Sequence, residues 1–203
     1  MSSLLSQHGL MLRRRLFEIA WDPTNTAASI TLSNGNRTAT GNANSGGLSR
    51  SMTSKATGRW YAEVRNDAYS SAGTNGCGFV GLVVPGEPVT NWVGQGGGCA
   101  ALWRVGSTLR RALAGVETSL SLTASVGDVY MIAWDADDGL VWYGRNGSWM
   151  ASGDPASGEN PMQSHASLAG EHYLATGPRN SGNQNTLRST PGYAVPAGFT
   201  YWS

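Results

Sequence analysis

A chain of 203 residues is long enough to bury one substantial core. Its 13% charged residues, 28 glycines and 8 tryptophans favour tight turns around large buried rings over long salt-bridged helices. A net charge of +1 and a pI near 7.8 supply no field to gather nucleic acid, and no apolar run reaches the roughly 18 residues of a membrane-spanning helix, so a soluble protein with neither partner is expected.

Residues 1–20 are the one segment with helical spacing. Leu5, Met11, Leu12, Leu16 and Ile19 share much of one helical face, interrupted by Gly9, with Arg13, Arg14 and Arg15 as a cationic run. The charge follows the apolar residues, whereas a secretory signal places it first, so no signal peptide is expected. An isolated helix this short is marginal in water. It serves either as a partly ordered terminus with solvated charges or as an anchor, in which Leu10, Leu12, Leu16 and Phe17 pack on a partner while Arg13, Arg14 and Arg15 pair with its carboxylates.

From Trp21 onward the pattern changes to short apolar or alternating runs bounded by Gly, Asn, Ser and Pro. Strands are expected over 28–32, 38–40, 58–65, 77–84, 99–104, 109–114, 129–134, 139–145, 172–175 and 186–188. They imply an all-β fold, a two-sheet antiparallel β-sandwich over residues 21–203 behind a short N-terminal extension. Residues 40–54, 85–98 and 151–165 are expected as long surface loops, where binding on a rigid sandwich normally sits. The candidate binding residues are the loop aromatics Tyr69 and Trp92, and Trp149 just beyond the Asn146-Gly147 turn.

Several patterns imitate chemical sites. Gly76-Cys77-Gly78-Phe79-Val80-Gly81 satisfies GxGxxG, but an apolar strand follows where a dinucleotide site needs a helix N-terminus. Asp135-Ala136-Asp137-Asp138-Gly139 starts like a calcium loop, yet Gly139 falls one position early and Asn146 stands where the closing glutamate belongs. A β-turn explains it better: the aspartates cap backbone donors, Gly139 takes positive φ, and Tyr130, Ile132 and Trp134 face the core. His165, His172, Cys77 and Cys99 lack the close spacing of a zinc site. The two cysteines are too few for a disulfide scaffold; a reducing compartment is expected, with a Cys77 to Cys99 bridge as the alternative. No cofactor or metal is expected, and no nucleophile, base and orienting group can be assembled.

Three stretches carry a family resemblance. GRWYAEV (58–64), GCGFVGL (76–82) and GDVYMIAWDADDGLVWYGRNGSW (127–149) stand in the order and wording of the SPRY domain, whose hairpin runs GDVIGVALDLDNGTLTFYKNG. WDPTNTAASITLSNGNRTAT (21–40) and YAVPAGFTYWS (193–203) are similar to the opening and closing phrases of its bacterial and bacteriophage form, so the resemblance covers residues 21–202. Ala62 replaces the second tryptophan of the first motif, and 94–98 is unusually rich in glycine, so loop conformations do not transfer.

The resemblance implies a non-enzymatic structural protein of a tailed-bacteriophage virion, associated with tail or capsid and made in the bacterial cytoplasm. Residues 1–20 would dock on other virion proteins, and the sandwich would face outward to meet virion proteins or a host-surface glycan or protein, with homo-oligomers in the particle compatible with this arrangement. The alternative is a free-standing bacterial module that binds a peptide or glycan. An enzyme on such a sandwich would need two carboxylates across one cleft, roughly 5 to 9.5 Å apart, and none can be nominated.

Overall fold

A computed structural model describes residues 19–70 and 76–203. The helical expectation for residues 1–18 and the anchor residues Leu10 to Phe17 lie outside the described residues. The strands are β1 (Trp21–Thr26), β2 (Ile30–Ser33), β3 (Thr38–Gly41), β4 (Ser49–Lys55), β5 (Arg59–Ala68), β6 (Cys77–Val83), β7 (Ala100–Val105) and β8 (Thr108–Leu113). They continue as β9 (Val116–Thr123), β10 (Val129–Asp135), β11 (Leu140–Arg145), β12 (Ser148–Trp149), β13 (Gln163–Ser164), β14 (His172–Gly177), β15 (Gln184–Leu187) and β16 (Thr200–Tyr201). Two single turns of 3-10 helix, Met150–Ser152 and Ala166–Leu168, are the only helical elements among the described residues.

One sheet runs β1-β4-β14-β6-β7-β8-β9. The other runs β12-β11-β10-β5-β15-β3-β2, with β13 beside β11 and β16 beside β5. Every pairing is antiparallel except that of β16 with β5. The all-β antiparallel sandwich expected from turn spacing is therefore the fold.

Between the sheets Trp21, Phe79, Leu82, Leu102, Tyr130, Ile132, Trp134, Tyr143, Leu174 and Trp202 form the main core. Tyr130, Ile132 and Trp134 face it as expected, opposite Arg145, Tyr143 and Val141 of β11. The intervening Met131 and Ala133 are also buried, because the C-terminal segment lays Tyr193, Val195 and Phe199 over the outer face of β5, β10 and β11. Val93, in the loop after β6, covers Leu48, Val83, Ala101 and Ala175 on the outer face of the other sheet.

Cys77 belongs to the inter-sheet core and Cys99 to the cluster under Val93. Both are buried free thiols, each pushed up to about 12 by burial, the largest cause.

Three boundaries differ from expectation. Ile19 and Ala20, expected within the extension, are buried, at 4% and 8% exposed. Residues 49–54, expected within a surface loop, belong to β4 inside the first sheet. Their inward positions are serines: Ser49 bonds the Thr26 hydroxyl and Ser51 accepts from the Leu174 N–H. Hydroxyls held this way leave no apolar alternation to read. β9 escaped for the opposite reason, being exposed on both faces.

The two turns of the 127–149 stretch behave as their residues require. Asp135 Oδ1 accepts from the N–H groups of Asp137 and Asp138, and Gly139 sits at φ +66°. Asn146 and Gly147 both have positive φ, +51° and +85°, as a two-residue hairpin turn demands. A Cβ on Gly147 would also lie 2.9 Å from the Tyr193 ring. Gly147→Val should cost about 1 to 3 kcal/mol in denaturant unfolding; a loss below about 0.5 kcal/mol, the range of neutral surface changes, would contradict the turn.

Candidate functional site

β7 has the alternation Ala-Ala-Leu-Trp-Arg-Val: Leu102 points into the inter-sheet core and Ala101 into the outer cluster. Trp103 therefore stands on the outer face and Arg104 at the inner edge of the sandwich. Each meets one of the expected aromatics. Trp92 stacks on Trp103 with ring centroids 4.8 Å apart and planes 16° from parallel, and the Arg104 guanidinium lies 3.6 Å from the centre of the Tyr69 ring. Trp103 can lie flat because Gly76 has no side chain; a Cβ there would come within 2.4 Å of the indole.

Around these rings the polar groups are incompletely satisfied. Asn66, on the inward side of β5, is fully buried, and neither end of its amide has a hydrogen-bond partner. Trp103 Nε1, Arg104 Nη1 and Arg179 Nε are likewise buried without an acceptor. Neither Arg104 nor Arg179 joins an ion pair among the described residues. Cys77 links the two arginines, since the Arg179 backbone and the Arg104 charge both act on its thiol.

Behind this surface the polar groups are paired. Asn185 of β15 donates to the Gly78 carbonyl and the Thr176 hydroxyl, tying one sheet to the other. Asn183 accepts from the Ser70 N–H at 2.5 Å. Burial, the first cause, raises the Tyr69 phenol, with the Arg104 charge opposing.

The surface is shallow. The void among Gly76, Gly78, Trp92, Trp103, Gly177 and Arg179 measures about 10 Å³, room for one water at most. Stacked rings, two unpaired cations and free donors suit an extended segment offering carbonyls or carboxylates; they do not suit an engulfed small molecule.

The three candidate aromatics thus separate. Tyr69 lies on Arg104 and Trp92 on Trp103, neighbouring residues of β7 whose side chains leave opposite faces of the strand. Trp149 is packed edge-on against Tyr61 at 6.1 Å, on the outer face of the other sheet. None of the three is fully exposed. Arg104, Arg179 and Asn66 escaped the sequence analysis; an arginine inside an apolar strand of a chain with 13% charged residues was the one available signal.

The two histidines among the described residues are structural. His165 Nδ1 accepts from the Ser167 N–H, and His172 is buried between the carbonyls of Gly98 and Gly170. No group of three or more His, Cys, Asp or Glu side chains among the described residues is placed to hold a metal ion. No helix among them is long and apolar enough to cross a membrane.

No protein-family model and no curated protein matches the chain. Solved structures do. The TRIM65 PSpry domain superposes with a TM-score of 0.62 at 16% identity, over 88% of this chain and 95% of that one. The SPRY domain of human HERC1 superposes with a TM-score of 0.55 at 19% identity, over 83% of this chain and 96% of that one. At these identities the likeness is one of fold, and the fold is a SPRY-type sandwich.

Proposed function

We propose that the chain is a non-enzymatic SPRY-type binding domain of a bacteriophage virion, which engages another protein through the Tyr69, Trp92, Trp103, Arg104 and Arg179 surface and is tethered to the particle by its N-terminal segment. The observation that carries the binding site is the set of buried donors without acceptors on Trp103, Arg104 and Arg179 beside the unpaired Asn66 amide. Buried polar groups are rarely left so, and Arg104 and Arg179 remain partly exposed with no ion pair among the described residues, so a partner's carboxylates or carbonyls can pair with their guanidinium groups. The virion assignment rests on the likeness of residues 21–40 and 193–203 to bacteriophage sequences.

The full chain, immobilised through its C-terminus, should retain proteins released from dissociated particles. Arg104→Ala should weaken that retention tenfold or more at an unchanged melting temperature. Equal retention by both would remove the site, and no retention of any particle protein would remove the virion assignment.

The tether has its own test. Ile19 is the first described residue and already belongs to the core, so deleting residues 1–18 should leave the melting temperature within a few degrees while excluding the chain from particles. Incorporation at normal copy number would place the anchor on the sandwich instead.

A further inference from the structure

A sheet with a bare edge offers a row of unpaired N–H and C=O groups to any extended chain, and folded proteins ordinarily blunt such edges. Three of the four edges here are blunted. β1 carries Pro23 and an irregular register, while β2 and β12 are only 4 and 2 residues long. β9 is different: it has 8 residues, Val-Glu-Thr-Ser-Leu-Ser-Leu-Thr, without proline, lysine or arginine, and nearly all of it is exposed on both faces. Three of the four large apolar side chains exposed among the described residues, Val116, Leu122 and Val126, lie on β9 or in the turn after it.

The hairpin geometry shows which groups are free. Leu113 and Val116 flank the two-residue Ala114-Gly115 turn, whose φ values are +49° and +81°, so that pair exchanges hydrogen bonds. The alternation then makes Ala112 with Glu117 and Arg110 with Ser119 the pairs that do not. Glu117 and Ser119 consequently direct their N–H and C=O away from β8. Only towards its far end is the strand distorted, where Ser121 takes φ +54° and the register shifts.

The chemistry of the strand selects its occupant. Glu117, its only charged residue, is held at 3.0 Å by Arg110 of the neighbouring strand, so β9 presents a nearly neutral edge that neither attracts a charged segment nor repels itself. A two-fold interface requires a patch that matches itself. A two-fold centred on Thr118 keeps the pairing within the regular stretch 116–120: it sets Val116 against the half-buried Leu120 and Thr118 against its own copy, with the outward N–H and C=O groups of Glu117 facing those of Ser119.

We infer that β9 is a homotypic docking edge: two copies of the chain pair antiparallel through residues 116–120 and join their seven-stranded sheets into one. The edge lies at the opposite margin of its sheet from β1.

Light scattering on the full chain across a concentration series should show a reversible monomer to dimer transition. Val116→Lys with Thr118→Lys brings like charges together at the two-fold and should weaken the dimer at least tenfold, leaving the melting temperature of the dilute monomer unchanged. In the unaltered protein the amides of Glu117 and Ser119 should exchange more slowly at high than at low concentration, and this readout holds even if the double variant folds poorly. A chain that stays monomeric up to high micromolar concentration would overturn the inference. So would a dimer indifferent to both lysines, or one in which the two amides exchange at one rate throughout.

Discussion

Trp134→Ala should cost about 3 to 5 kcal/mol, the range for removing a large buried ring. Trp134 is fully buried at the middle of the sandwich. Its indole stacks on Trp202 at 5.7 Å, meets the edge of His172 at 5.2 Å, and donates from Nε1 to the Leu168 carbonyl at 2.8 Å. Alanine forfeits the packing, opens a cavity and leaves the Leu168 carbonyl without its donor, so the costs add. Trp134→Phe should recover a large part of the loss but not the hydrogen bond. Urea unfolding should show the midpoint falling at a constant slope, the mark of lost stability rather than an altered denatured state. A loss under about 1 kcal/mol, typical of a shallow site, would mean that Trp134 faces away from the core and that β10 is out of register.

That register was legible because β10 and β11 announce themselves twice, through aromatic and β-branched runs and through turns whose glycines admit positive φ. The same holds for β6, where close approach requires glycine: a Cβ on Gly81 would lie 2.2 Å from the Ala100 carbonyl oxygen. β4 and β9 depart from the binary pattern in opposite ways. Serine at inward positions hides β4, which is specified by β1 and β14, distant in sequence, and exposure on both faces hides β9, which among the described residues pairs only with β8, its hairpin partner.

The candidate site was half legible for the same reason. Tyr69 and Trp92 stand out as aromatics in loops, but what they meet is set by β7 and by the 178–180 turn, and a free donor on Arg104 is a property of the assembled surface. Trp149 shows the converse. It reads as an exposed anchor after a tight turn, yet the outer face it occupies is roofed by Tyr193 and Val195, which no local pattern around residue 149 foretells.

That roof is fastened by one carboxylate, and removing its charge should have the second large effect. Glu63 lies on the outward side of β5 and is fully buried. It accepts from the Tyr61 hydroxyl at 2.8 Å and from the N–H groups of Gly192 and Tyr193 at 3.0 Å each, and it pairs with Arg188 at 3.2 Å. Burial first, then the hydrogen bond and charge of Glu63, push the Tyr61 phenol far up, so the hydroxyl stays a donor throughout the ordinary pH range. Every group around the carboxylate is thus a donor or a cation. Glu63→Gln keeps the shape but turns one acceptor into an NH₂ that faces other donors, and it leaves Arg188 without its anion. Arg188 keeps 36% of its side chain exposed, so its loss of a counter-ion is screened, but each buried donor left without its acceptor costs about 1 to 3 kcal/mol. The loss should concentrate in the C-terminal segment, with the Gly192 and Tyr193 amides exchanging far faster than those of β10. A loss below about 1 kcal/mol with those amides still protected would show that Phe199 on Trp142, at 6.2 Å, holds the segment by apolar contact. If the carboxylate does hold it, the outer face of β5, β10 and β11 is closed to partners, and binding is left to the arginine and tryptophan surface beside β7.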